Sequence, residues 1–115
     1  MKILYIEDSD IAVQAMRAIV KRLGYEFLTV PSIAEGDQLI KDQHPDVILI
    51  DMQLPDGLGF NLIRQLRVDG LTTPIIGLSS VPDYSERSLA EGSDKFILKP
   101  FDFSMMSDLI KSYAR

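Results

Sequence analysis

The sequence predicts an α/β protein with a single parallel β-sheet that is covered by helices on both faces. Five short apolar segments begin at residues 3, 27, 47, 75 and 96, so that the intervals between them are 24, 20, 28 and 21 residues. Such an interval accommodates a strand, a helix of about three turns and two short loops. Segments such as Val47–Ile50 are apolar throughout, which is typical of strands buried on both faces.

The five apolar segments predict the five strands. Ile3–Ile6 and Val47–Ile50 are the most uniformly apolar, and the other three follow the same spacing. They are Phe27–Val30, Ile75–Leu78 and Phe96–Leu98.

The stretches between these segments carry the signals of helices. Apolar residues recur at i, i+3 and i+4 through residues 11–23, and Gly24 ends that first helix. Ser32–Glu35 is a capping box that opens a second helix, which ends before Pro45.

The remaining helix signals complete an alternating βαβαβαβαβα pattern. Residues 59–69 predict a third helix followed by Gly70, Pro82 suits the first turn of a fourth, and Asp102 caps a fifth. Crossovers between parallel strands are right-handed in nearly all cases, so the helices must cover both faces. The pattern fills the chain, and we expect one domain over residues 1–115.

The composition excludes several classes of protein. The 115 residues contain no cysteine, which removes thiol catalysis and Cys-ligated zinc. Glu7 and Asp8 come too early for a signal peptide, and no apolar run could span a bilayer, so we expect a cytoplasmic protein. The net charge of −5 argues against direct binding of nucleic acid.

Acidic side chains follow two of the predicted strands. In the flavodoxin-like strand order 2-1-3-4-5, ligands bind where the order reverses, between strands one and three. Strand one ends at Glu7 and Asp8, and strand three ends at Asp51, so the three carboxylates should converge. A raised pKa or a bound cation can relieve their repulsion, and oxygen ligands suit Mg²⁺ or Mn²⁺. Taken singly, each acid also reads as a solvated loop residue or a helix cap.

A hydroxyl and a lysine follow the last two strands. Strand four ends in Ser79 and Ser80, and strand five is followed by Lys99. A hydroxyl can donate to a phosphoryl oxygen, and a lysine supplies a compact positive charge. Either alone is an ordinary helix cap or surface lysine, but their coincidence with the three acids at one sheet edge indicates a site.

These residues resemble the receiver domain of bacterial two-component response regulators, from residue 2 to the C-terminus. The matching pieces are Glu7–Asp8, Asp51–Pro55, Gly59, Ser79 and Gly92–Phe101.

The resemblance implies roles for the acids and the lysine. Asp51 would be the phosphoacceptor for a phosphohistidine or a small phosphodonor. Glu7, Asp8 and Asp51, with the backbone carbonyl of Gln53, would hold Mg²⁺, or Mn²⁺ in its place. Lys99 would pair with Asp51 and then with the phosphoryl group. The protein would then be no enzyme in the ordinary sense, but an aspartyl phosphoacceptor that assists its own phosphorylation and dephosphorylation.

The resemblance also implies a switch and its partners. Ser79 would move to bond the phosphoryl group, Phe96 would move inward behind it, and the bond before Pro100 would be cis. Ser80 replaces a small apolar residue that is common in the family, so Ser80 could share the role of the switch hydroxyl with Ser79. The partners would be a histidine kinase or histidine phosphotransfer protein, and a target or output domain on the face of helix four, strand five and helix five. We expect a monomer or weak dimer.

Two rival functions and some ambiguous residues remain. Asp8-Ser9-Asp10 imitates the nucleophile motif of haloacid-dehalogenase-like phosphatases, but the second acidic pair expected after strand four is missing. A receiver fold that docks without taking phosphate is the other rival. We interpret His44 as a solvated residue at a helix end, and we expect one of Met105 and Met106 in the core. A stand-alone receiver and a piece of a longer protein both fit the sequence.

Overall fold

The computed structural model describes residues 1–114, in which five parallel strands form one sheet. The strands are β1 (Lys2–Ile6), β2 (Glu26–Val30), β3 (Val47–Asp51), β4 (Ile75–Ser79) and β5 (Lys95–Leu98). They lie in the order β2-β1-β3-β4-β5, with every neighbouring pair parallel. The predicted flavodoxin-like architecture and strand order are therefore confirmed.

Five helices cover the two faces of the sheet. They are α1 (Asp10–Leu23), α2 (Ile33–Gln43), α3 (Gly59–Val68), α4 (Tyr84–Glu91) and α5 (Phe103–Lys111). Helices α1 and α5 pack on one face, and α2 and α3 pack on the other. Along β1 the buried residues alternate accordingly, with Ile3 and Tyr5 facing α1 and α5, and Leu4 and Ile6 facing α2 and α3. None of the helices in residues 1–114 has the length and apolar character needed to cross a membrane.

The ends of the helices follow the predicted signals. Gly24 ends α1 in the left-handed conformation with φ 80°. The Ser32 side chain accepts a hydrogen bond from the N–H of Glu35 at the start of α2, and the Asp102 side chain accepts one from Met105 at the start of α5. These contacts satisfy helix-end groups that have no partner within the helix itself.

Two loops at the carboxyl edge of the sheet differ from the prediction. Pro82 lies in a turn ahead of α4 rather than in its first helical turn, and the N–H of Tyr84 donates to the carbonyl of Val81 at 3.2 Å. Proline suits the second position of such a turn because its φ is fixed there. After β3, the strands Gln53–Leu54 and Gly57–Leu58 form a small antiparallel hairpin that hydrophobic patterning did not indicate.

Candidate functional site

Three carboxylates meet at the carboxyl ends of β1 and β3. Asp51 is the last residue of β3, and Glu7 and Asp8 directly follow β1. One oxygen from each of the three lies within 4.8 Å of the others. Glu7 and Asp51 are buried, whereas Asp8 is exposed. The structure thus brings together the acids that the strand order places at one crevice.

Lys99 lies beside two of these acids. Its ammonium group forms an ion pair with the Glu7 carboxylate and a second with Asp51, where Nζ is 3.3 Å from Oδ1. The backbone N–H of Lys99 donates to the carbonyl of Ser79 at 2.9 Å, which ties the lysine to the end of β4. The bond between Lys99 and Pro100 is cis, as the resemblance implies. The pairing with Glu7 was not predicted.

The environment of Glu7 makes its ionised form more costly than it is in water. Burial opposes the negative charge and raises the pKa of the Glu7 carboxyl to about 7, and the neighbouring Asp51 adds to the rise. The hydrogen bond from Lys99 acts in the opposite direction. Like charges about 4 Å apart repel by roughly 4 kcal/mol at an effective dielectric of 20, so one ammonium group leaves three close carboxylates incompletely neutralised.

The acid cluster has the composition of a site for a hard divalent cation. Its side-chain donors are all oxygens, as Mg²⁺ and Mn²⁺ prefer. Lys99 occupies Oε1 of Glu7, while Oε2 of Glu7 is buried and has no hydrogen-bond partner among residues 1–114. A buried carboxylate oxygen without a partner costs free energy that a cation would recover. The residues present therefore fit a divalent cation.

The predicted switch residues lie on the neighbouring strands. Ser79 is fully buried at the end of β4, and its hydroxyl accepts a hydrogen bond from the N–H of Val81 at 3.1 Å. Phe96 in β5 is half-buried against the core on the α2 and α3 side. Ser80 is exposed and lines a surface groove of about 450 Å³ together with Lys99. The Ser79 hydroxyl is thus hydrogen-bonded to the loop that directly follows β4.

The loop after β3 is closed by backbone contacts around Asp51. The N–H of Gly59 donates to the carbonyl of Met52 at 2.9 Å, and Gln53 pairs with Leu58 across the hairpin. The position of a Cβ on Gly59 would lie 2.4 Å from the backbone oxygen of Asp51. Only glycine allows α3 to begin this close to Asp51.

Asp56, at the tip of this hairpin, makes a contact with α2 that the sequence did not predict. Its carboxylate oxygens accept hydrogen bonds from the N–H groups of Ile33 at 2.9 Å and Ala34 at 3.1 Å. With Ser32 bonded to Glu35, these contacts satisfy the first three free N–H groups of α2. The loop after β3 is therefore anchored to α2.

We expect Asp56→Asn to lower stability at neutral pH but not in acid. The two backbone hydrogen bonds hold the pKa of the Asp56 carboxyl below its ordinary value. Stability from a lowered pKa is fully present above the unfolded-state pKa, about 3.9, and is lost as pH falls through the folded-state value. In thermal unfolding from pH 7 to pH 2, the gap between wild type and variant should close at the acidic end. A difference in unfolding temperature that does not depend on pH would contradict this role of Asp56. Asp108→Asn, at an exposed position in α5, is the control.

The residues interpreted as structural are not members of the acid cluster. His44 is exposed at the C-terminal end of α2, where it adopts a left-handed conformation with φ 50°. Met106 is fully buried, and Met105 is 42% exposed. The interpretation of all three is confirmed.

The geometry also bears on the phosphatase alternative. That alternative requires Asp8 to be the nucleophile, but Asp8 is exposed, and the ion pairs of Lys99 go to Glu7 and Asp51. Asp51, which the phosphatase alternative leaves without a role, is a buried member of the cluster. The phosphatase alternative does not account for this placement of Asp51.

The fold and the site define a doubly wound α/β protein with acids and a lysine where the strand order reverses. The family model for the response regulator receiver domain matches residues 3–111. The chain therefore belongs to the response regulator receiver domain family.

Individual relatives agree with this membership. The cell cycle transcriptional regulator CtrA of Caulobacter vibrioides is 35% identical over 117 residues, which cover 100% of this chain and 51% of CtrA. The BeF3-activated N-terminal receiver domain of Klebsiella pneumoniae RstA superposes with a TM-score of 0.92 at 25% identity, covering 100% of this chain and 99% of that one.

A third relative was solved with a metal ion. The receiver domain of the sensor histidine kinase PA1611 from Pseudomonas aeruginosa has a TM-score of 0.87 at 26% identity, with 97% of this chain and 95% of that chain covered. In that structure a magnesium ion is coordinated in the active site cleft. The present chain spans about half the length of CtrA, since it covers 51% of that protein.

Proposed function

We propose that residues 1–115 form a single receiver domain in which Asp51 accepts a phosphoryl group. The observation that carries the proposal is the buried Asp51 carboxylate, which lies with Glu7 and Asp8 in one cluster and 3.3 Å from the Lys99 ammonium group. Membership of the receiver family supports the same assignment.

The acid cluster would hold Mg²⁺, with Mn²⁺ as a substitute. Glu7, Asp8 and Asp51 would supply carboxylate oxygens, and Gln53 would supply its backbone carbonyl. The bound cation would neutralise negative charge on the incoming phosphoryl group, which is a large part of what phosphoryl transfer requires. The magnesium ion in the cleft of the PA1611 receiver domain supports this choice of metal.

With the cation bound, the transfer would use side chains that already lie in the cluster. A carboxylate oxygen of Asp51 attacks the phosphorus of a phosphohistidine, so that a P–O bond forms as the P–N bond breaks and the histidine leaves. Lys99 would exchange its ion pair with Asp51 for an ion pair with the phosphoryl oxygens. Because the domain's own residues promote these steps on its own aspartate, it assists its phosphorylation and dephosphorylation without turning over a separate substrate.

The switch would run from Ser79 to the surface. Ser79 exchanges its contact with Val81 for a phosphoryl oxygen, and Phe96 moves inward into the space behind it. Helix α4, strand β5 and helix α5 would then present a changed face to partners. These elements carry four large apolar side chains that are at least 42% exposed, and these are Leu89 in α4, Leu98 in β5, and Phe103 and Met105 in α5.

The partners follow from this chemistry. The donor would be a histidine kinase or a histidine phosphotransfer protein in the cytoplasm, and the receiver of the signal would be a target protein or an output domain. CtrA is a transcriptional regulator, and that function is a property of the whole CtrA protein. For this chain the net charge of −5 favours contact with protein rather than directly with nucleic acid. We expect a monomer or a weak dimer.

Incubation with acetyl phosphate tests the proposal. We expect a phosphoryl adduct in intact-protein mass spectra when Mg²⁺ is present, and at least a tenfold lower yield in excess EDTA. The reason is that Lys99 alone cannot neutralise three acids and an incoming phosphoryl group. Full labelling in EDTA would contradict the metal's role. If Mg²⁺ binds but neither acetyl phosphate nor a phosphohistidine donor labels the protein, the domain acts by docking alone.

A further inference from the structure

Tyr5 places a polar group inside the apolar core beneath the acid cluster. It lies in β1, its exposure is 0%, and it packs among the residues between the sheet and helices α1 and α5. Its hydroxyl oxygen is buried and has no hydrogen-bond partner among residues 1–114. A buried hydroxyl without a partner is destabilising, so its presence calls for an explanation.

Within residues 1–114, one other side-chain oxygen is buried without a hydrogen-bond partner, and it is Oε2 of Glu7. Tyr5 and Glu7 are two residues apart, so the alternation along β1 directs both side chains to the same face of the sheet. Neither oxygen lies within hydrogen-bonding distance of the other, because each would then have a partner. Both oxygens therefore lack a partner on the same face of the sheet.

The two side chains carry complementary groups. The Tyr5 hydroxyl is a hydrogen-bond donor, and the Glu7 carboxylate oxygen is an acceptor. Since the two side chains are neighbours on one face of the strand, a small molecule between them can contact both.

We propose that Tyr5 is a positioning residue of the metal site, whose hydroxyl donates through one buried water molecule to Oε2 of Glu7. This inference rests on the proposed function of the acid cluster. A buried water needs at least two polar partners, and these two atoms supply them. Each carboxylate oxygen has two lone pairs, so Oε2 can accept the water and still face a cation.

The arrangement fixes Glu7 from both sides. Lys99 holds Oε1, and the Tyr5-bound water holds Oε2, so the carboxylate is oriented before a cation arrives. Outer partners of metal ligands commonly contribute about 10–100-fold to metal affinity when they contact the ligand directly. A contact through water should contribute less.

Tyr5→Phe removes only the donor, and Mg²⁺ titration by calorimetry measures the result. We expect Mg²⁺ to bind about three- to tenfold more weakly, a range set below that of direct outer partners. Tyr25→Phe is the matched control, because Tyr25 packs against the same core and precedes β2 at the opposite edge of the sheet. That variant should bind Mg²⁺ as the wild type does.

The outcomes separate this inference from the proposed function. If the wild type binds Mg²⁺ and Tyr5→Phe binds it equally well, the positioning role is overturned and the proposed function stands. A change in unfolding temperature with no change in affinity would likewise mean a structural role only, and would overturn the inference. If the wild type binds no Mg²⁺, both the inference and the proposed function fail.

Nuclear magnetic resonance tests the water bridge itself. In the wild type we expect a slowly exchanging Tyr5 hydroxyl proton with a nuclear Overhauser contact to bound water. A hydroxyl proton that lacks this contact would contradict the bridge.

Discussion

Asp51→Asn is expected to abolish phosphorylation while leaving the fold intact. The amide has nearly the shape of the carboxylate but lacks its nucleophilic charge, so no acyl phosphate can form. Asp51 is buried at the end of β3, and the substitution removes a negative charge from a crowded cluster, so the sheet should not be disturbed. Intact-protein mass after incubation with acetyl phosphate and Mg²⁺ should show no adduct, and circular dichroism should match the wild type.

Asp10→Asn is the matched control for this substitution. Asp10 is an exposed acid in the first turn of α1, and the acid cluster does not include it. It is also the second acid of the Asp8-Ser9-Asp10 motif on which the phosphatase alternative depends. We expect Asp10→Asn to be labelled at the wild-type rate. Labelling of Asp51→Asn, together with loss of labelling in Asp10→Asn, would assign the chemistry to the Asp8-Ser9-Asp10 segment instead of Asp51.

Gly59→Ala is expected to damage stability and phosphorylation together. An added Cβ would lie 2.4 Å from the backbone oxygen of Asp51 and 2.9 Å from a side-chain carbon of Ile50, so the start of α3 and the end of β3 must separate. Overpacking of this kind typically costs about 1–3 kcal/mol. Because a displacement of about 1 Å can slow a reaction about 100-fold, we expect labelling by acetyl phosphate to fall about 10- to 100-fold.

Gly36→Ala distinguishes this effect from a general intolerance of alanine. A Cβ on Gly36 would also make a close contact, but its closest neighbour is the terminal carbon of the Ile6 side chain rather than a backbone atom. Gly36 lies inside α2, where alanine is favoured over glycine by about 1 kcal/mol. Urea unfolding should therefore show a small change for Gly36→Ala and a large loss for Gly59→Ala. Equal effects on stability and on labelling would refute the steric argument at Asp51.

The sequence was sufficient for the sheet and for the location of the acids. Apolar segments at a regular interval indicate parallel strands, and parallel strands bring their carboxyl ends to one edge. Glu7, Asp8, Asp51 and Lys99 could therefore be placed together without coordinates. The helix ends at Gly24 and Ser32 were equally readable, since caps depend on local backbone groups.

The contacts between side chains could not be predicted in the same way. Strand-end reasoning places Lys99 near the acids but does not show that it pairs with Glu7 as well as with Asp51. Asp56 reads as a turn residue, because the N–H groups it binds, those of Ile33 and Ala34, lie more than 20 positions earlier in the chain. A side chain's partner across the fold has no signature in local sequence pattern.

Tyr5 illustrates the same limit inside a strand. In an apolar segment its aromatic ring suits the core, and the pattern gives no reason to ask about the hydroxyl. Only the neighbouring Glu7 and the burial of both oxygens raise that question. The hairpin of Gln53–Leu54 and Gly57–Leu58 was missed for a related reason, since strands of two residues are too short for alternation to appear.

Locating the phosphoryl group tests the central claim most directly. An acyl phosphate can be reduced with borohydride, which converts the modified aspartate to homoserine and marks its position for peptide mass spectrometry. After labelling with acetyl phosphate and Mg²⁺, we expect homoserine at position 51 and unmodified aspartate at position 8. Homoserine at position 8, or labelling with no modified aspartate at position 51, would contradict the assignment of Asp51 as the phosphoacceptor.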